Sequence, residues 1–348
     1  MIFLPHASPD TPSPYHLAAA GSDRRWWRPL LGMLVGGVTA MVLIFLVTIG
    51  MVVTGDGAMM ADGAALPLDR PGPIFWLASS LAVLIPAVIV ASLVGFRTRP
   101  GFVMSVAGRI RWRWLATCLA IALVPYGVLV AGERVLTTGI HPHVTGQTVL
   151  VIAVILVMIP LQCAAEEIAF RGFIMQLFGT WIGRNIPALA VSIVVSAVAF
   201  STAHGSFDPV VLADLAMMAV VLVLLTWRTG GLEAAIAIHV ANNVVIFVLD
   251  ALEGESQSII SSNTTATWES LVVSALMLGI TAAVQLWAAR RLRLASLTDP
   301  SQRPTPTVNY LHREWERGRI YPQWRHLYPP EVAATLDTTL AGDDRTSC

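Results

Sequence analysis

TVLVIAVILVMIPLQCAAEEIAFRGFIMQLF, residues 148–178, is the stretch from which the fold is read. It is long and apolar enough to cross a bilayer, and a segment crossing alone must be helical, because only a helix satisfies its own backbone groups in hydrocarbon. Yet Glu166, Glu167 and Arg171 lie inside it. Insertion scales charge roughly 2.5–3.5 kcal/mol for each ionisable group at the centre of a span, so a charged cluster there calls for a functional reason.

The rest of the chain agrees with a membrane setting. It is 55% hydrophobic and only 13% charged, with a mean hydropathy of +0.68, whereas soluble domains carry about 25% charge. The formal net charge is zero and the 22 basic residues are all arginine, so nothing in the charge balance indicates a nucleic-acid partner. Cys118, Cys163 and Cys348 are scattered, giving neither a disulfide framework nor a CxxC metal site.

Working outward at a window of about 19 residues, apolar spans are predicted near 29–54, 73–95, 112–131, 148–178, 187–204, 209–227, 231–250 and 269–289. The expected fold is an all-α, polytopic transmembrane helical bundle of about eight spans, a multi-pass protein of the cell membrane. Arg97, Arg99, Arg109, Arg111 and Arg113 crowd the second connection, Arg184 and Arg228 mark the fourth and sixth, and Arg290, Arg291 and Arg293 follow the last span. Loops between them are poor in arginine, and the one near 250–268 holds Asp250, Glu253 and Glu255. The positive-inside rule then puts both termini in the cytoplasm.

This divides the chain into a cytoplasmic N-terminal tail (1–28), three spans (29–147), a four-span core (148–250), a loop with the last span (251–293) and a polar cytoplasmic tail (294–348). Arg24, Arg25 and Arg28 around Trp26 and Trp27 make an interfacial collar ahead of the first span. In the last tail Tyr310, Trp315, Tyr321, Trp324 and Tyr328 alternate with Arg and His. That pattern reads as an appendage with a short helix around 308–318, or as a surface docking on lipid headgroups or a partner. The fourth span is longer than a perpendicular crossing needs, so it is tilted, kinked near Pro160, or continues past the hydrocarbon. Gly205–Pro209 is read as a turn between spans or a break in a re-entrant element.

Three polar clusters fall in or beside predicted spans. On a helix Glu167 and Arg171 stand at i and i+4 and can pair, while Glu166 points about 100° away, with Gln162 one turn before it. Phe200-Ser-Thr-Ala-His204 closes the fifth span, and His239 and Asn243 share a face of the seventh at i and i+4. Taken singly, each cluster has a plain structural explanation as an ion pair, an interfacial histidine or glue between helices. Two histidines, an unpaired carboxylate and an amide together form a set able to activate water and stabilise an oxyanion during amide hydrolysis. Glu166, His204 and His239 are equally a possible ligand set for zinc, with water completing the site.

The ordered trio Glu166-Glu167-x-x-x-Arg171, Phe200-x-x-x-His204 and His239-x-x-x-Asn243 resembles the CPBP family, the CAAX proteases and bacteriocin-processing enzymes also called the Abi family of intramembrane metalloproteases. The resemblance covers about residues 148–250 and implies a catalytic core there. It implies Glu166 as the glutamate that activates water, helped by His204, with His239 and Asn243 as an oxyanion hole. Glu167, Arg171 and Phe200 would shape the site. The substrates implied are membrane-associated or lipidated peptides and proteins, with the lipid bilayer as the surrounding partner. For the cofactor the family offers two schemes, a zinc-dependent one and a metal-free glutamate mechanism, and HExxH is absent here. No GxSG serine element or GxGD aspartate is found either. A non-proteolytic protein on the same fold, such as a bacteriocin-immunity factor or scaffold, and a proton-coupled transporter are the alternatives.

One expectation is awkward. If every span crosses fully, His204 ends near the outer face while Glu166 and His239 lie in the inner half. The fourth helix must then start deeper than drawn, or the fifth must be short or tilted.

Overall fold

Eight helices are long and apolar enough to cross a membrane, and no β-strand occurs among the described residues. The computed structural model describes residues 12–19, 25–57, 66–137, 139–254, 266–299, 328 and 330. The chain divides by its contacts into residues 1–300 and 301–348. In the second unit only Tyr328, buried, and Pro330, exposed, are described, so the short helix expected near 308–318 and the other tail aromatics lie outside the described residues.

Helix α1 (Arg28–Val53) is the first span, and its GxxxG pair, Gly32 and Gly36, packs on α3 (Leu84–Gly95). A Cβ on Gly32 would lie 2.6 Å from the carbonyl oxygen of Ala91, so the close approach of these backbones requires glycine. The second span is made of α2 (Pro71–Ala82) and α3, broken at Val83. Pro86 explains the break: it lacks the N–H that would reach the carbonyl of Ala82, and its ring crowds that carbonyl. A single turn, α4 (Gly101–Met104), leads into α5 (Trp112–Thr137).

The fourth span starts at α6 (Gly146–Glu167), where Thr145 and Thr148 form a capping box. The α-helix runs on through Pro160 to Glu167. There it widens into a π-helical segment (Ile168–Ile174) and resumes as α7 (Met175–Ile182), ended by Gly183 in the left-handed conformation. The irregular turn lies at 168–174, and the whole span is 37 residues long. Its excess length continues the helix beyond the point predicted for its end.

Helices α8 (Asn185–Ala203), α9 (Pro209–Thr229), α10 (Glu233–Glu253) and α11 (Trp268–Arg291) follow. Residues 204–208 are a turn between two helices: Asp208 caps α9, accepting from the N–H groups of Val210 and Val211 at 2.8 and 3.0 Å. Helix α10 is the most enclosed of the spans, with 56% of its most apolar window buried. It packs against α5, α6 and α9.

The Arg-rich end of the bundle is stapled by side chains. Arg111 donates to both carboxylate oxygens of Glu233, at 2.9 and 2.6 Å, and to the carbonyls of Thr229 and Ala295 at 2.9 and 3.1 Å. One guanidinium so ties the start of α5 to the α9–α10 turn and to the strip following α11. At the other end of α10, Arg134 pairs with Asp250 and Glu253 at 2.7 and 2.5 Å.

Residues 12–19 belong to this packing, though the sequence reads as a tail. Tyr15 is fully buried and its hydroxyl donates to the carbonyl of Val103. His16 Nε2 donates to the carbonyl of Asn185 at 3.1 Å. Thr298 donates its N–H to the carbonyl of Ser13 at 2.9 Å, joining this segment to the strip beyond α11. The interfacial collar is partly engaged too, with Trp181 Nε1 donating to the carbonyl of Trp26 at 2.9 Å.

Candidate active site

The long fourth span sets the level of the site within the bundle. Ile182 lies fifteen residues beyond Glu167, and Phe200 lies fifteen residues beyond Asn185. At the α-helical rise the second leg is about 22 Å, and the first, which includes the π-helical segment, is a little shorter. Helices α7 and α8 therefore descend past the glutamates and return to them, bringing Phe200 and His204 back to the level of Glu167. The fourth span starts at Gly146, about where it was drawn, and runs on to Ile182, while the fifth is a full 19 residues. The level is matched by nearly equal legs beyond Glu167 and Asn185, not by a deeper start or a short fifth helix.

Glu166 and Glu167 end α6 in the interior, 7% and 0% exposed. Gln162, one turn earlier, donates to Glu166 Oε1 at 2.7 Å. Glu166 Oε2 faces His239 Nε2 at 3.8 Å. Glu167 is bonded differently: its Oε1 accepts from Arg171 Nη1 at 2.8 Å and from His239 Nδ1 at 2.9 Å. The pairing of Glu167 with Arg171 is as the spacing predicts. The second bond, to a residue 72 positions away, left no trace in the sequence.

Phe200 is the hub around which the cations and rings gather. It is 1% exposed, and the Arg171 guanidinium carbon sits 4.3 Å from its ring centre, within cation–π range. Its ring meets those of Phe170, His204 and His239 at centroid separations of 5.5, 4.7 and 5.8 Å. The π-helical segment carries Phe170 and Arg171 into this contact. Such widened turns recur at functional sites because they re-aim side chains inside a helix.

His204 donates from Nδ1 to the carbonyl of Phe200 at 2.7 Å, which leaves Nε2 as the nitrogen open to a reactant. The ring is half-buried, beside the turn to α9. Asn243 stands one turn beyond His239 on α10, half-buried, and its Oδ1 accepts from Asn242 at 3.0 Å. Its amide N–H groups remain for another acceptor. The structure thus brings Glu166, Glu167, Arg171, Phe200, His204 and His239 into one chain of contacts, with Asn243 adjoining it along α10.

Cys163 is a neighbour that the sequence reading passed over. It is fully buried, lies one turn before Glu167, and its thiol sits beside the His239 imidazole. The i, i+4 spacing from Cys163 to Glu167 was the available signal.

The same geometry bears on zinc. Among the described residues no three His, Cys, Asp or Glu side chains converge as a metal-binding group. Each histidine donates from Nδ1, to Glu167 and to the Phe200 carbonyl, and keeps Nε2 free, a pattern that suits a water-activating site and a zinc ligand alike.

Residues 147–245 match the family model of the type II CAAX prenyl endopeptidases, Rce1-like. That match supports the resemblance to the CPBP family that the three motifs carry. No curated protein and no solved structure matches the chain. The Rce1-like segment opens at the start of α6 and closes two residues after Asn243, so it holds every residue of the site just described. Together with the eight apolar helices it makes this a multi-pass integral membrane protein.

Proposed function

We propose that the chain is an intramembrane endopeptidase that hydrolyses peptide bonds in membrane-associated or lipidated peptides and proteins. The observation that carries this reading is the facing of Glu166 Oε2 and His239 Nε2 at 3.8 Å while Gln162 holds the other carboxylate oxygen. That gap exceeds a direct hydrogen bond, and a water about 2.8 Å from each atom would close a triangle across it.

In the proposed reaction Glu166 takes a proton from that water as its oxygen attacks the carbonyl carbon, with His204 Nε2 helping to orient the water. Charge building on the carbonyl oxygen is met by the amide N–H of Asn243; His239, one turn away on the same face of α10, adds a second donor at Nε2 as an imidazolium, since its Nδ1 is held by Glu167. Glu166 then returns the proton to the leaving nitrogen as the C–N bond breaks, so proton and bond counts balance. Burial raises the value of each of these contacts, since little water competes for them.

The family description names prenyl substrates, and a lipid-anchored peptide is the class that reaches a site at this depth without leaving the bilayer. The arginine-rich ends of α5, α9 and α11 would face the cytoplasm, in the cell membrane.

Membrane proteomics of cells carrying the wild type or Glu166→Gln tests the reading. Fragments present only with the wild type are expected. Identical fragment sets, at equal protein abundance, would overturn it.

A further inference from the structure

We infer that Glu167, beyond neutralising Arg171, is a positioning residue for His239: it holds the imidazole by the Nδ1 proton and so turns Nε2 toward Glu166. This rests on the hydrolytic reading of the site. The geometry behind it is one oxygen with two donors. Glu167 Oε1 accepts from Arg171 Nη1 at 2.8 Å and from His239 Nδ1 at 2.9 Å. A carboxylate paired with a guanidinium only accepts, so the shared proton belongs to Nδ1.

That assignment decides what the rest of the ring offers. With Nδ1 committed, Nε2 is the nitrogen that faces Glu166, 3.8 Å from its Oε2, and the Cys163 thiol is the ring's other polar neighbour. Phe200, edge-on to the ring with an interplanar angle of 79°, limits its tilt but has no hydrogen-bonding group with which to choose between tautomers. Arg171 in turn fixes Glu167, being fully buried, with its guanidinium over the Phe200 ring. The order Arg171, Glu167, His239 is a carboxylate-oriented imidazole with its own anchor, the arrangement by which buried acids set histidine tautomers elsewhere.

A purely structural Glu167 would have Arg171 as its whole purpose. The test therefore removes the ion pair from both arms and varies only the acceptor. In Glu167→Met/Arg171→Met the imidazole loses its partner; in Glu167→Gln/Arg171→Met a carbonyl oxygen still accepts from Nδ1. Neither leaves an unpaired buried charge, so both should accumulate comparably.

The substrate is an internally quenched, farnesylated CAAX peptide in detergent or bilayer discs, with rates divided by the amount of folded enzyme. The Met/Met chain should lose roughly 10–100-fold in kcat with little change in KM, and the Gln/Met chain should recover most of it. Equal kcat in the two would overturn the positioning role.

Two further measurements separate this inference from the reading it rests on. Glu166→Gln in the same assay tests hydrolysis itself, and full activity there would sink the hydrolytic reading. Solid-state NMR of histidines labelled with heavy nitrogen reads the tautomer without any turnover: a proton on Nδ1 of His239 in the wild type is expected. An unprotonated Nδ1 would overturn the inference whatever the peptide assay gives.

Discussion

Gln162 donates to Glu166 Oε1 at 2.7 Å and so leaves Oε2 as the free face of that carboxylate. The two neighbouring glutamates are thereby told apart by their partners, since Glu167 is engaged by Arg171 and His239. Glu166→Gln keeps the volume and an oxygen for Gln162 to bond, but removes the base. Peptide cleavage should fall by roughly 10²–10⁴-fold with protein abundance close to the wild type. A quantitative immunoblot beside a cleavage assay checks both halves.

Metal dependence follows from the donor geometry. With no group of three ligands among the described residues, the purified enzyme should stay active after chelation and carry less than one equivalent of zinc. Stoichiometric zinc, with activity lost on chelation and restored by zinc, would contradict a glutamate mechanism.

Glu233→Gln should destabilise the Arg-rich end of the bundle. Glu233 is 1% exposed as a side chain and meets Arg111 at 2.6 Å, with Arg111 12% exposed. Breaking one side of a buried pair costs about 3–5 kcal/mol, because the partner charge is left behind. Thermal unfolding in detergent should show a clear drop for Glu233→Gln, and a smaller one for a Glu233→Met/Arg111→Met chain. A larger drop in the double variant would argue against the ion-pair account.

Gly179→Ala probes the docking of residues 12–19 on α7. A Cβ there would fall 1.6 Å from the carbonyl oxygen of His16, so the segment must move or leave. Overpacking of this kind costs about 1–3 kcal/mol or more. Protease cleavage between residues 12 and 19 should become faster than in the wild type, and an unchanged rate would count against a tight fit.

His16 should make stability pH-dependent. Burial holds its pKa below the ordinary value of 6.5, against the smaller upward pull of its bond to the Asn185 carbonyl. The folded chain then binds fewer protons at this site than the unfolded chain, so stability is present above about pH 6.5 and is lost as pH falls through that region. The loss levels off below the folded-state pKa. Replacing His16 with Asn should flatten this part of the curve, which melting temperatures between pH 5 and 8 would reveal.

Much of the architecture was legible from hydropathy, because bilayer crossing forces apolar runs of about 20 residues into helices. All eight spans correspond to helices in the fold, and the Glu167–Arg171 pair follows from an i, i+4 spacing that any helix imposes. The motif residues too were read directly, since charged and imidazole groups stand out against an apolar background. Local composition says less about segments outside the spans, which is why residues 12–19 read as a tail although Tyr15 and His16 are fully buried.

What the tertiary structure decided is which groups meet. The sequence specifies Glu166, Phe200, His204 and His239 as isolated points on separate helices, and by hydropathy alone His204 belongs near the opposite face. Hydropathy drew the fourth span to residue 178 but carries no record of what packs beside it, and the return of α8 along the run to Ile182 is what brings Phe200 back to the level of the glutamates. The bond from His239 to Glu167 joins residues 72 apart, a distance at which no periodicity carries information. Only the packing of α10 against α6 creates it, and with it the nitrogen of His239 that faces Glu166.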